Sequence, residues 1–142
     1  MLETIFIIAI PTLILIGWSA IYYISVLSRR SRDVESDLNS LHTESCGFRF
    51  KDYRYGFYNL TKPLARYSIY NDFILVAFGN KHYLLNFKDI ESVAFKRYSF
   101  STGIEFIHKC SKLPKEFIIW PKTKGSISKE LESRGLTIEN ET

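Results

Sequence analysis

The run Arg66-Tyr67-Ser68-Ile69-Tyr70-Asn71-Asp72-Phe73-Ile74-Leu75-Val76-Ala77-Phe78-Gly79-Asn80-Lys81-His82-Tyr83-Leu84-Leu85-Asn86-Phe87 joins aromatic and β-branched segments through Asn-Asp and Gly-Asn-Lys connections. Short connections of this composition between apolar runs are the strongest local hairpin signals. The run predicts an antiparallel meander.

Toward the C-terminus, Lys88-Asp89 turns the chain into a strand over residues 90–98. A polar turn over 99–103 and an alternating strand over 104–108 follow. The basic loop Ser111-Lys112-Leu113-Pro114-Lys115 leads into a strand over 116–120, ended by Pro121, which has no N–H for a ladder. Residues 126–134 read as a helix with Ile127 and Leu131 inward at i and i+4, stopped by Gly135 at C′, before an acidic tail over 139–142. Toward the N-terminus, Phe48, Phe50, Tyr53, Tyr55 and Phe57 alternate with Arg49, Lys51, Arg54 and Gly56 around a slip at Asp52, so one bulged strand is expected there. Residues 56–63 read as a loop because Pro63 breaks the pattern. Seven strands and one terminal helix predict an antiparallel barrel or orthogonal sandwich with one end capped.

Residues 5–27 carry no charged side chain. A bilayer core is about 30 Å thick and a helix rises about 1.5 Å per residue, so roughly 20 apolar residues suffice to span it. The segment reads as a transmembrane helix, and Pro11 and Gly17 are both compatible with one. Before it the sole charge is Glu3; after it come Arg29, Arg30 and Arg32. Basic residues beside a span stay on the cytoplasmic side, so the N-terminus is expected outside and the rest of the chain in the cytoplasm, with Tyr22 and Tyr23 at the interface. A cleaved signal peptide would place its basic cluster before a shorter apolar run. With no Asp, Glu, Lys, Arg or His inside it, the helix reads as an anchor rather than a transport path.

Residues 28–45 are polar, and Val34, Leu38 and Leu41 fall at helical spacing. They read as a juxtamembrane tether that continues the helix before fraying, too short for a stable coiled coil. Residues 46–138 then form the folded domain.

All 19 Lys and Arg follow residue 28, as do all of the 15 acids except Glu3, so the part beyond the anchor is mildly basic. The cations are scattered rather than clustered in a stripe, which argues against nucleic acid and suits a protein beside an anionic leaflet. Cys46 and Cys110 form no C-x-x-C pair, and neither His42 with Cys46 nor His108 with Cys110 has the spacing of a structural zinc site. No metal or other cofactor is expected. There is no G-x-S-x-G, phosphate-binding glycine loop or H-E-x-x-H, and no clustering of carboxylates and histidines for acid–base work. The chain is therefore not expected to be an enzyme.

The hairpin segments above, with Tyr83-Leu84-Leu85-Asn86-Phe87-Lys88-Asp89-Ile90-Glu91-Ser92-Val93, resemble the pleckstrin-homology-like (PH-like and GRAM-like) domains. The likeness covers residues 48–136. It implies a barrel with a C-terminal helix across one opening and a binding module for lipid head groups or protein segments. Behind a single anchor, it also implies a prokaryotic inner membrane. The sequence departs from the phosphoinositide-binding pattern, since Asn71-Asp72 is acidic and the first loop offers only Lys62. On a seven-strand count Lys62, Lys81, Lys112 and Lys115 emerge at one barrel end, as a candidate lipid-head-group rim. The expected function is that of a single-pass, non-enzymatic interaction module contacting another membrane protein or anionic lipid. The alternative is an accessory or assembly subunit of a larger membrane enzyme or transporter.

Overall fold

The computed structural model describes residues 2–52, 56–98 and 101–140. In chain order these form helix α1 (Leu2–Arg29), strands β1 (His42–Asp52), β2 (Gly56–Ile69), β3 (Phe73–Phe78), β4 (Lys81–Asn86), β5 (Ile90–Tyr98), β6 (Ser101–His108) and β7 (Phe117–Pro121), helix α2 (Lys124–Ser133) and strand β8 (Ile138–Asn140). The strands make one sheet, β4-β3-β2-β1-β7-β6-β5-β8, curled into a half-barrel. α1 contains one segment, Ala9–Arg29, long and apolar enough to cross a membrane.

The hairpin reading holds. β3 pairs with β4 from Phe73↔Asn86 to Phe78↔Lys81. Gly79 at the turn carries φ +51°, the left-handed value that a type II′ turn requires at its first central residue. α2 also ends as expected: Gly135 has φ +77°, its N–H reaches Glu132 O at 2.9 Å, and Leu136 N–H reaches Leu131 O at 3.1 Å. These two bonds make a Schellman motif, which occupies carbonyls the helix end would leave open.

Four expectations are corrected. The sheet has eight strands, not seven, because part of the expected acidic tail pairs in parallel with β5, Val93↔Ile138 to Phe95↔Asn140; residues 141 and 142 lie outside the described residues. The strand expected over 48–57 is two strands, since β1 ends at Asp52 and pairs there with Gly56 of β2; the alternation through Tyr53, Arg54 and Tyr55 lies outside the described residues. The expected 56–63 loop is the first half of β2. Its register jumps from Cys46↔Ala65 to Phe48↔Leu60, leaving residues 61–64 as a bulge, the place in a sheet where proline is tolerated; the Lys62–Pro63 bond is cis. The turn expected over 99–103 is shorter, because β6 already pairs at Ser101 and contains Gly103; Ser99 and Phe100 lie outside the described residues.

The core is one cluster inside the curl. Phe48, Tyr67, Ile69, Ile74, Phe106, Phe117 and Ile119 are fully buried there, and Ile127 and Leu131 of α2 plug it. Each such side chain contributes on the order of 1.5–3 kcal/mol relative to exposure. β3 is buried on both faces: Ile74 and Val76 face the core, while Leu75 and Ala77 form a second cluster with Tyr70 on the outer face. The end of α1 and the segment after it meet the neighbouring outer-face residues of β2.

Candidate functional site

Along β2, Ala65, Tyr67 and Ile69 face the core, and alternation turns Arg66, Ser68 and Tyr70 outward. All three are nonetheless buried, with Arg66 only 8% exposed. A guanidinium removed from water needs an opposite charge and well-placed acceptors, or it costs several kcal/mol. Glu35, 4% exposed, supplies that charge.

Arg66 grips Glu35 with both terminal nitrogens, Nη1 to Oε1 at 2.9 Å and Nη2 to Oε2 at 2.7 Å. The Tyr70 hydroxyl donates to Oε1 and the Arg32 backbone N–H donates to Oε2 at 2.6 Å. Burial is the largest single influence on the Glu35 carboxyl and pushes its pKa up. The bonds from Arg66, Tyr70 and Arg32 together outweigh it and hold the group below the usual carboxylate range. Burial first, and then the Glu35 carboxylate, push the Tyr70 phenol up to about 12, so it stays a donor at neutral pH.

The same groups close the C-terminal end of α1. A helix leaves its last carbonyls without partners and with about half a negative charge. Arg66 Nε donates to Ser28 O at 3.0 Å and Nη2 to Arg30 O at 3.3 Å, while the Arg32 guanidinium donates to Leu27 O at 3.2 Å and also to Gly79 O. Burial, and next the charge of Arg66, lower the pKa of Arg32; a guanidinium remains protonated regardless. Two cations thus face one carboxylate and a helix terminus, close to charge balance.

Two serines complete the seat. Ser25 Oγ donates to Pro63 O at 3.2 Å, and Ser28 Oγ lies 2.7 Å from Leu64 O while accepting the Gly79 N–H at 2.8 Å. The β2 bulge therefore presents the carbonyls that receive the helix, and the β3–β4 turn presents the N–H.

This seat corrects the tether. No helix continues beyond Arg29; the chain makes a 3-10 turn at Asp33–Glu35 and enters β1 at His42. Val34, Leu38 and Leu41, expected along one helical stripe, are all exposed.

Of the residues singled out in the sequence, Arg29 and Arg30 are exposed at the end of α1, Arg32 is half-buried in the seat, and Tyr22 and Tyr23 are 73% and 62% exposed. Lys62 lies in β2, not in a loop, and its Nζ donates to Pro121 O at 2.7 Å at the C-terminal end of β7. Lys81 opens β4, two residues after Gly79. Lys112 and Lys115 are exposed in the loop before the N-terminal end of β7. Lys62 adjoins Pro63 and Lys81 follows Gly79 by two residues, both partners of the α1 serines, whereas Lys115 and Lys62 approach opposite ends of β7.

Sequence reading missed Glu35, Arg66 and Tyr70. A signal was present: Phe73–Phe78 is apolar without alternation, as in strands buried on both faces, which implies a cover over Arg66, Ser68 and Tyr70. Cys46 is buried and Cys110 half-buried, both as free thiols. Compared with known protein families and with curated proteins, the chain matches none.

Proposed function

We propose that the chain is a single-pass, membrane-anchored, non-enzymatic interaction module. In this reading α1 crosses the bilayer with its N-terminus outside, and the curled sheet is a PH-like domain with an added edge strand, held at the cytoplasmic face. The observation that carries it is the seat: the last turn of the apolar helix is built into the domain through Ser25, Ser28 and the Glu35–Arg66 pair. Removal of α1 would take the Ser28 O acceptor from Arg66 Nε and the Ser28 Oγ acceptor from the Gly79 N–H, both at buried positions, which argues for a retained anchor. Arg29 and Arg30, exposed just beyond the apolar run, favour the cytoplasmic side.

Support for a binding role comes from where the perturbed groups sit. Glu35, Tyr67 and Cys46 are shifted by burial and by structural partners, and Tyr70, the one of the four that lines a cavity, has its hydroxyl engaged by Glu35. The partner is another membrane protein. Among the described residues β4 has only β3 as a neighbour in the sheet, leaving an edge that can take an extended segment. Beyond the Tyr70 end of β2, Asp37, Asn39, Tyr70, Asp72 and Phe73 line a cavity of about 280 Å³, a size for one or two side chains rather than a cofactor. Anchoring makes even a weak contact effectively intramolecular.

Photo-crosslinking from Leu84 in the full chain, in native membranes, tests this reading. A discrete membrane-protein adduct is expected, weakened by Tyr83→Pro on the same strand. A partner held stoichiometrically through detergent purification identifies an accessory subunit. No adduct from any β4 position, with a monodisperse monomer in detergent, would overturn the protein-partner reading.

A further inference from the structure

We infer that the cations around the exit of α1, namely Arg29, Arg30, Lys62, Lys81 and Lys122, bind the anionic head groups of the leaflet from which the helix emerges. The inference rests on the spanning reading of α1. Lipid contact along α1 ends where the sheet covers it. Ser25, Leu27 and Ser28 are 7%, 8% and 1% exposed, covered by protein, while Tyr22 and Tyr23 are open. Lipid can therefore surround the helix only up to about residue 24. Residues 5–24 still supply about 20 residues, or about 30 Å, enough for the hydrocarbon core.

Pro63 and Leu64 bond Ser25 and Ser28, and Gly79 bonds Ser28, so the β2 bulge and the β3–β4 turn lie at the height of the head groups. Lys62, next to Pro63, and Lys81, two residues past Gly79, are both exposed. Lys62 brings Pro121 to the same place, and exposed Lys122 follows it. One proton of the Lys62 ammonium is engaged by Pro121 O; the other two are available to phosphate oxygens.

The five cations of this rim outnumber the carboxylates beside it, Glu44 and the exposed Asp33, because Glu35 is engaged by Arg66. Glu35 is paired with Arg66, and Glu44 Oε1 accepts the N–H groups of Lys122 and Thr123 and the Tyr67 hydroxyl. The rim is thus a set of cations held at head-group depth by the fold itself, distinct from the Lys112 and Lys115 loop.

The test uses the full chain reconstituted in phosphatidylcholine vesicles, with spin-labelled phosphatidylglycerol or spin-labelled phosphatidylcholine as probe. The expected result is a preference for the anionic probe that drops by about fivefold or more in Lys62→Gln/Lys81→Gln/Lys122→Gln, the factor one well-placed juxtamembrane cation gives. The corresponding Arg substitutions retain it, as does Lys112→Gln/Lys115→Gln, and high salt removes it. An unchanged preference in the triple Gln variant, or an equal loss in the Lys112/Lys115 variant, would overturn the rim. Alkaline extraction of the same vesicles separates the two levels: a chain that washes out overturns the anchored reading as well, while an inserted chain without the preference overturns the rim alone.

Discussion

Glu35 is an exposed-looking residue in a polar stretch that turns out to be nearly inaccessible. Its carboxylate accepts bonds from Arg66, Tyr70 and the Arg32 N–H, and removing it would leave Arg66 buried without a counter-charge. Glu35→Ala is expected to lower unfolding stability by about 3–5 kcal/mol, and Arg66→Met by a similar amount. The double replacement Glu35→Leu/Arg66→Met should recover most of that loss, because an apolar pair of similar volume removes both charges together. Chemical denaturation of the four proteins checks this, and a double variant as unstable as the two singles combined would contradict it.

The pair also sets a pH dependence. The folded pKa of Glu35 lies below its unfolded value, so its stabilisation is complete above the unfolded value of about 4.3 and is lost as pH falls through the folded value. Tyr70 acts at the other limit. Its folded pKa is raised, so its contribution is complete below about pH 10 and declines as pH rises toward about 12. Thermal unfolding against pH should show a plateau between these limits, and Glu35→Gln should flatten the acid limb.

At the scale of elements, the hairpins with strong turn chemistry were legible and the bulged ones were not. Phe73–Phe78 and Lys81–Asn86 are separated by a Gly-Asn turn, and α2 ends on Gly135, so local backbone requirements marked both. β2 instead carries Pro63 in its interior, a residue that ordinarily argues against a strand; only the bulge opposite Gly47 admits it. β8 depends on pairing with β5, more than forty residues away in sequence, and three residues cannot announce that locally. Gly103 read as a turn glycine, but it lies inside β6 opposite Lys96, where an added Cβ would stand 2.7 Å from Ile118 Cγ2 and 3.1 Å from Trp120 Nε1. Gly103→Ala is therefore expected to cost about 1–3 kcal/mol through overpacking, with a shift in tryptophan emission. An unchanged denaturation midpoint would mean that Trp120 yields without cost.

The candidate site was legible only in its outer parts. The arginines after the apolar run and the lysines of the turns could be named from sequence, but the Glu35–Arg66 contact spans 31 residues and needs the bulge to bring the helix to β2. A serine in the last turns of a helix can bond back to that helix, as Ser28 does with its Oγ 2.8 Å from Ile24 O, and nothing local marks Ser25 or Ser28 as reaching further. Their additional bonds to Pro63, Leu64 and Gly79 tie α1 to the sheet. Ser28→Ala would leave the Gly79 N–H and Leu64 carbonyl short of a partner, a cost of about 1–3 kcal/mol. Faster hydrogen exchange at Gly79 is the expected sign.

For the whole molecule, a polar seat at the end of α1 means that the sheet does not swing on a flexible tether but takes one orientation relative to that helix. In the proposed setting this turns the cationic exit toward the leaflet and leaves the β4 edge open to a partner. Pulsed electron resonance between spin labels at Tyr22→Cys on α1 and Asn80→Cys in the β3–β4 turn, in a Cys110→Ser background with the chain in lipid nanodiscs, measures that orientation most directly. One narrow distance distribution is expected, as narrow as that between labels at Asn80 and at Lys109, just past the end of β6, and it should broaden in Glu35→Ala. A broad distribution in the otherwise native chain would contradict the single orientation, because the domain would then hang from the helix rather than be built onto it.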